Sequence, residues 1–146
     1  MQPDGTAEPV TDSPTGWVAR HIQEYASSGG RRGHHRWGVT HLLLTTRGRR
    51  SGTLRRTALI YRQDGERYVV VASNGGSPRH PAWYLNLRSD PRVVVQVGSE
   101  TFAASARPAE GEEKERLWEL MAEVWPDYRR YQQRTSREIP VVVLER

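Results

Sequence analysis

Three groups of residues in this chain could do chemistry. The first is Arg47-Gly48-Arg49-Arg50-Ser51-Gly52, with Arg55 and Arg56 close behind. Arginine presents a fork of N–H donors that matches phosphate and carboxylate. Glycine lets backbone approach a ligand closely. The spacing is not a P-loop, because no Gly-Lys-Ser/Thr ending and no helix follow it. An exposed basic turn is the plainer reading of this group taken alone. The second group is Ser73-Asn74-Gly75-Gly76, leading to His80 and Pro81. A strand end, a Gly-rich turn and a helix start leave backbone N–H groups free to bind a carbonyl or phosphate. An ordinary strand-to-helix connection is the alternative. The third is Trp125, Tyr128 and Tyr131, three apart and so on one helical face. Such a stripe is most often core, but tyrosine hydroxyls can also wall a pocket for a flat ligand.

Charge sharpens the first group. Between Glu24 and Asp64 there is no acidic residue, while Arg31, Arg32, Arg36, Arg47, Arg49, Arg50, Arg55, Arg56 and Arg62 fall in that span. The formal net charge is +5, and Lys114 is the only lysine. A genome rich in GC would favour arginine codons over lysine, but that does not explain an acid-free cluster. The cluster suggests a holder for a phosphorylated, acidic small molecule.

Several chemistries are excluded. There is no cysteine, so disulfides, thiolate nucleophiles and zinc ribbons drop out. The histidines His21, His34, His35, His41 and His80 show no HExxH or other metal spacing. No Gly-x-Ser-x-Gly elbow is present. Redox or transfer chemistry here would need a bound organic cofactor. No apolar run approaches the roughly 20 residues that span a bilayer, and no secretion signal is visible at the N-terminus, so the cytoplasm is the expected compartment.

The positioning elements follow from periodicity and punctuation. Residues 1–14 are expected to be a disordered tail. An amphipathic helix and basic connector occupy 15–38, with Ser13 as cap and a stripe of Trp17, Val18, His21, Ile22 and Tyr25. That stripe would lie on the domain or, alternatively, on a membrane surface. Strands are expected at Val39–Thr46, Leu54–Gln63, Arg67–Ser73, Arg92–Val97, Thr101–Arg107 and Val141–Leu144, with Asp64-Gly65 as a hairpin turn. Helices are expected near His80–Arg88, Ala109–Val124 and Pro126–Arg134. About six antiparallel strands with flanking helices make an α+β domain, read as a β-barrel over 39–146.

The runs LLLTTRGRRSGTLRRTALIY, YVVVASNGGSPRHPAWYLNLRSDPRVVVQVG and WPDYRRYQQRTSREIPVVVLER occur in this order. Together the chain resembles the deazaflavin-dependent nitroreductase family. The resemblance implies a split β-barrel of the flavin-reductase kind. It implies coenzyme F420, a deazaflavin with a phospholactyl-polyglutamate tail, and hydride transfer to a quinone-like or nitroaromatic acceptor. Under it, Arg49, Arg50, Ser51, Arg55 and Arg56 would hold the tail. Thr57, Ala58, Leu59 and Ile60 would line the cofactor. Val71, Ala72, Ser73 and Asn74, with Ala82, Trp83, Tyr84, Leu85 and Asn86, would hold the phosphate and ring. Tyr128 would also reach the cofactor, and Ser73, Tyr128 and Tyr131 would face the acceptor as catalytic residues. Two alternatives stay open: an F420-binding or storage protein without turnover, and an FMN-binding split barrel. No nucleic-acid partner is expected, since arginines in one loop and tyrosines on a helix do not make an interleaved sheet surface. A homodimer and a peripheral membrane contact are compatible with the resemblance.

Overall fold

The computed structural model describes residues 8–14 and 16–146. Of the expected tail, residues 1–7 lie outside the described residues. Nine strands are described: β1 Val10–Asp12, β2 His35–Arg36, β3 Val39–Arg47, β4 Leu54–Ile60, β5 Arg62–Asp64, β6 Arg67–Val71, β7 Arg92–Val97, β8 Glu100–Pro108 and β9 Val141–Glu145. Four α-helices join them: α1 Gly16–Ser28, α2 Ala82–Ser89, α3 Gly111–Val124 and α4 Asp127–Gln133. The fold is α+β.

The strands form one sheet in the order β1-β4-β3-β7-β8-β9-β6-β5, with β2 added on β3. Every pairing is antiparallel except β1 on β4. The expected second strand, Leu54–Gln63, is broken at Tyr61. Before the bend it pairs with β3, after it with β6. The two halves of the sheet are therefore joined there by covalent chain and not by a ladder. The sheet curls but stays open, where a barrel of about six strands was expected.

The tail is the second correction. Val10, Thr11 and Asp12 pair with Leu54, Arg55 and Arg56, and the Ser13 N–H continues the edge to the Arg56 carbonyl at 2.9 Å. Ser13 thereby prolongs the strand edge just past Asp12, and α1 is described from Gly16 to Ser28. The hairpin turn is also shifted by one: Asp64 pairs with Arg67, so Gly65 and Glu66 form it.

Period-2 alternation sorts side chains between cores. Leu42 and Leu44 of β3, Val70 of β6, Val95 of β7 and Val142 and Leu144 of β9 meet inside the curl, where Tyr84 and Leu87 of α2 plug one end. Val69, Val71, Val141 and Val143 face outward and are covered by Leu117 and Met121 of α3 and Tyr128 of α4. Leu43 faces Ile22 and Tyr25 of α1. Continuous apolar runs in β3, β6 and β9 thus reflect burial on both faces. The α1 stripe is core, apart from Trp17, which is 56% exposed. No helix of the described residues is long and apolar enough to cross a membrane.

Candidate functional site

The loop between β3 and β4 is a tight hairpin closed by the Gly48 N–H on the Thr53 carbonyl, 2.7 Å, and the Gly52 N–H on the Gly48 carbonyl, 2.8 Å. Asn86, buried on α2, clamps it. Its Oδ1 accepts the Arg49 N–H at 3.1 Å, and its Nδ2 donates to Thr46 Oγ1 at 3.1 Å. The basic loop is therefore held against α2, and the Arg49 guanidinium also donates to Asn86 Oδ1 at 3.4 Å.

Those arginines are not equivalent. Asp12 engages Arg56 through two contacts, Nε–Oδ1 at 2.7 Å and Nη2–Oδ2 at 3.2 Å. Glu8 pairs with Arg47. The acid-free run thus meets one acid from the N-terminal strand, Asp12, and one from just before it, Glu8. Among the described residues Arg49, Arg50, Arg55 and Arg79 have no carboxylate within salt-bridge distance. All four line one cleft of about 890 Å³.

The cleft collects most of the expected cofactor set. Arg49, Arg50, Ser51, Arg55, Arg56, Thr57, Ala58, Leu59, Val71, Ser73, Asn74, Ala82, Trp83 and Asn86 line it. Ile60, Ala72, Tyr84, Leu85 and Tyr128 do not. Ala72 is fully buried, and Tyr84 is turned into the core. Leu85 packs beside that core. The helical period of α2 explains the split: Ala82, Trp83 and Asn86 share the cleft face, and Tyr84 and Leu87 point inward.

A smaller compartment of about 310 Å³ continues the cleft, and Trp17, Val18, Ala58, Leu59, Val71, Ser73 and Gly75 border both. Its other walls include Ile60, Trp37, Trp125, Tyr128, Tyr131, His21 and His41. Ser73 thus stands at the junction, with the two tyrosines beyond it. The Tyr128 hydroxyl has no hydrogen-bond partner among the described residues, and burial pushes its pKa well above the usual phenol range.

The turn between them is built around Gly76, whose φ is +81°. A Cβ there would lie 2.6 Å from the Tyr131 carbonyl oxygen, so no side chain fits between turn and α4. Arg137 locks the same turn. Its guanidinium donates to the carbonyls of Ser73 at 2.7 Å, Ser77 at 2.8 Å and Ala72 at 3.3 Å, and lies 3.1 Å from His80 Nδ1.

Sequence reasoning missed Arg137, Arg79, Trp37, His21 and His41 as site residues. Trp37 had one usable signal, the following Gly38. Both have positive φ, 56° and 75°, in the two-residue turn between β2 and β3. A bulky residue in that conformation is strained. Here it holds an indole over the compartment, 5.7 Å from His41 and 6.4 Å from Trp125 between ring centroids.

His41 is 3% exposed and its Nδ1 has no partner. Burial first, and the neighbouring His21 second, push its pKa down to about 4. An unfolded chain would protonate this ring near pH 6.5. As pH falls, the unfolded state therefore takes the proton first. The stability linked to His41 is complete above about pH 6.5 and is lost as pH falls toward about 4. It amounts to roughly 3 kcal/mol. Melting curves should drop across that window, and less steeply for His41→Gln; equal drops would contradict the assignment.

Comparison with known proteins fits this geometry. The profile of a family described as F420H(2)-dependent quinone reductase matches residues 17–146. An F420H(2)-dependent quinone reductase of Mycobacterium tuberculosis strain H37Rv is 41% identical over 143 residues, covering 89% of this chain and 96% of the relative. A solved F420-H2 dependent reductase, FDR-A, superposes with a TM-score of 0.67 at 42% identity, covering 72% of this chain and 93% of that one. A structure described as a domain-swapped dimer reaches 0.71 at 39% identity, covering 91% of this chain and all of that one, 100%. The heme protein HutZ of Vibrio cholerae, 18% identical with a TM-score of 0.54 over 72% of this chain and 80% of that one, shares the fold alone. On the profile and the relatives together, the chain belongs to the F420H(2)-dependent quinone reductase family.

Proposed function

We propose that this protein, folded as a split β-barrel, binds the deazaflavin F420 in the larger cleft and reduces a quinone acceptor in the smaller one. One observation carries the reading. Four arginines without carboxylate partners among the described residues line one cleft that Ala58, Leu59 and Val71 also wall, and that cleft opens onto aromatic rings. A ligand with a long polyanionic tail and a flat ring matches that combination. The residues fit F420 in donor chemistry as well as in shape.

Each part has a task. Arg49, Arg50 and Arg55, with Arg79, grip the tail, while Arg56 keeps β1 in place through Asp12. Asn86 and Arg137 hold the two loops that frame the ring. Ser73 sits between ring and acceptor, and the Tyr128 and Tyr131 hydroxyls face the acceptor. Reduced F420, when bound, supplies the hydride. The protein contributes alignment at about 3–3.5 Å and a site with little water. Hydroxyl donors stabilise the negative charge arriving on the acceptor. Nitroaromatics share the flatness and electron demand of quinones and fall within the same reading.

Titration with F420 against FMN, followed by cofactor fluorescence, tests the assignment. F420 should bind, and more tightly than FMN. Turnover of 2-methyl-1,4-naphthoquinone with reduced F420 separates a reductase from a storage protein. Tight FMN binding with F420 ignored would overturn the cofactor assignment.

A further inference from the structure

We propose that His41 delivers the proton that completes reduction of the acceptor in the smaller compartment. The inference rests on that compartment being the acceptor's, as proposed above. A hydride adds two electrons and one proton to a quinone and leaves a negative charge on oxygen. A second proton must arrive before a neutral hydroquinone can leave.

Five side chains with transferable protons border the compartment: Ser73, Tyr128, Tyr131, His21 and His41. A hydroxyl of serine or tyrosine donates a hydrogen bond well, but giving up its proton would leave an anion beside the acceptor. Burial makes this worse for Tyr128 by raising its pKa. His21 is committed: its Nε2 lies 2.6 Å from the Gly33 carbonyl oxygen. His41 is not. Its Nδ1 is buried without a hydrogen-bond partner among the described residues, and the Val39 and His34 backbone lies beside the ring. A buried polar atom left unsatisfied is costly, and here the ring also borders the cavity.

The charges around His41 explain why it waits. His21 of α1 meets it edge-on at 4.7 Å between centroids. Arg36 of β2 adds a second positive influence, and the His34 carbonyl is close by. From α4 come Tyr128 and Tyr131, both phenols. No carboxylate lines the compartment among the described residues. The oxyanion formed on the acceptor is thus the first negative charge the ring meets, and it favours the imidazolium.

The step balances. The reduced deazaflavin is oxidised by two electrons, and its own surplus proton goes to solvent. On the acceptor a bond to hydrogen forms and charge appears on oxygen. With that charge present the neutral His41 ring takes a proton from solvent; the N–H bond so formed then breaks, the O–H bond of the hydroquinone forms, and the imidazole is neutral again.

The test reads protonation directly. The full chain without cofactor is titrated with 4-nitrophenolate while the His41 ring and the Trp37 indole are followed by NMR. Binding should shift the Trp37 signal and raise the His41 pKa by two units or more. His41→Gln should slow single-turnover reduction of 2-methyl-1,4-naphthoquinone about 100-fold. F420 affinity should stay within twofold, and the pH dependence seen in the parent protein should flatten. Phenolate bound with the His41 pKa unmoved, or a His41→Gln protein as fast as the parent, would overturn the inference alone. No phenolate binding would overturn the acceptor assignment and this inference with it. The pKa measurement is made on the unaltered chain, so it stands even if the variant folds poorly.

Discussion

Replacing Arg137 by alanine is expected to lower the melting temperature by about 10 °C and to free the 73–77 turn. The side chain donates to the carbonyls of Ser73, Ser77 and Ala72. Hydrogen bonds from a charged donor contribute about 1.5–3 kcal/mol each, and they are not additive when they share one group. A total near 3–4 kcal/mol is therefore reasonable, and at this chain length each kcal/mol moves the melting point by about 2–4 °C. Burial holds the Arg137 guanidinium below its usual pKa without a carboxylate to offset it among the described residues, so its carbonyl partners are what keep it there. Lysine should not rescue the loss, because a single ammonium cannot reach three diverging oxygens as the planar fork does. Hydrogen exchange should accelerate in residues 72–80 and leave β3 unchanged. A melting point within 2 °C of the parent would refute the role.

Removing Arg49 and Arg55 together, both to alanine, should weaken F420 binding about 1000-fold, since each charge-assisted grip on the tail is worth roughly 1.5–3 kcal/mol. The loss should be larger for cofactor with a long glutamate tail than for one with a short tail. It should shrink at high salt, where the parent's own attraction is screened. Arg56→Ala should behave differently. Its charge is already matched by Asp12, so it should loosen β1 and disturb stability more than affinity. Calorimetric titration at two salt concentrations measures all of this. Equal losses for the two tail lengths would remove the tail from these residues.

Much of the scaffold was legible because it is local. Leu42–Leu44 and Val141–Leu144 announce strands buried on both sides, Gly98-Ser99 marks the turn between β7 and β8, and the apolar face of α3 repeats with helical period. The basic loop and the Ser73 turn could be placed on one side of the molecule because they flank one hairpin. What could not be read depends on partners far away in the chain. Asp12 reaches Arg56 across 44 residues, so an arginine run that looks free of acids is partly neutralised. Arg137 meets Ser73 across 64 residues, and nothing in its own neighbourhood marks it. Tyr61 gives no sign of a bend, because the break between β4 and β5 comes from a change of pairing strand and not from a glycine or proline. The family resemblance placed Ala72, Tyr84 and Leu85 in the cofactor set, whereas strand alternation and helical twist turn them toward the core. Trp37 and His41 lie among basic and apolar neighbours that read as connector and strand.

The position of β9 has a consequence for how the molecule is made. It lies between β8 and β6, yet it is the last of the described strands to emerge during synthesis. Until residue 145 has left the ribosome, the earlier strands can form two ribbons tethered at Tyr61, each presenting an unpaired backbone edge. Such edges invite pairing with other nascent chains. The cleft can be finished only by a keystone that arrives after every one of its lining residues has already been built.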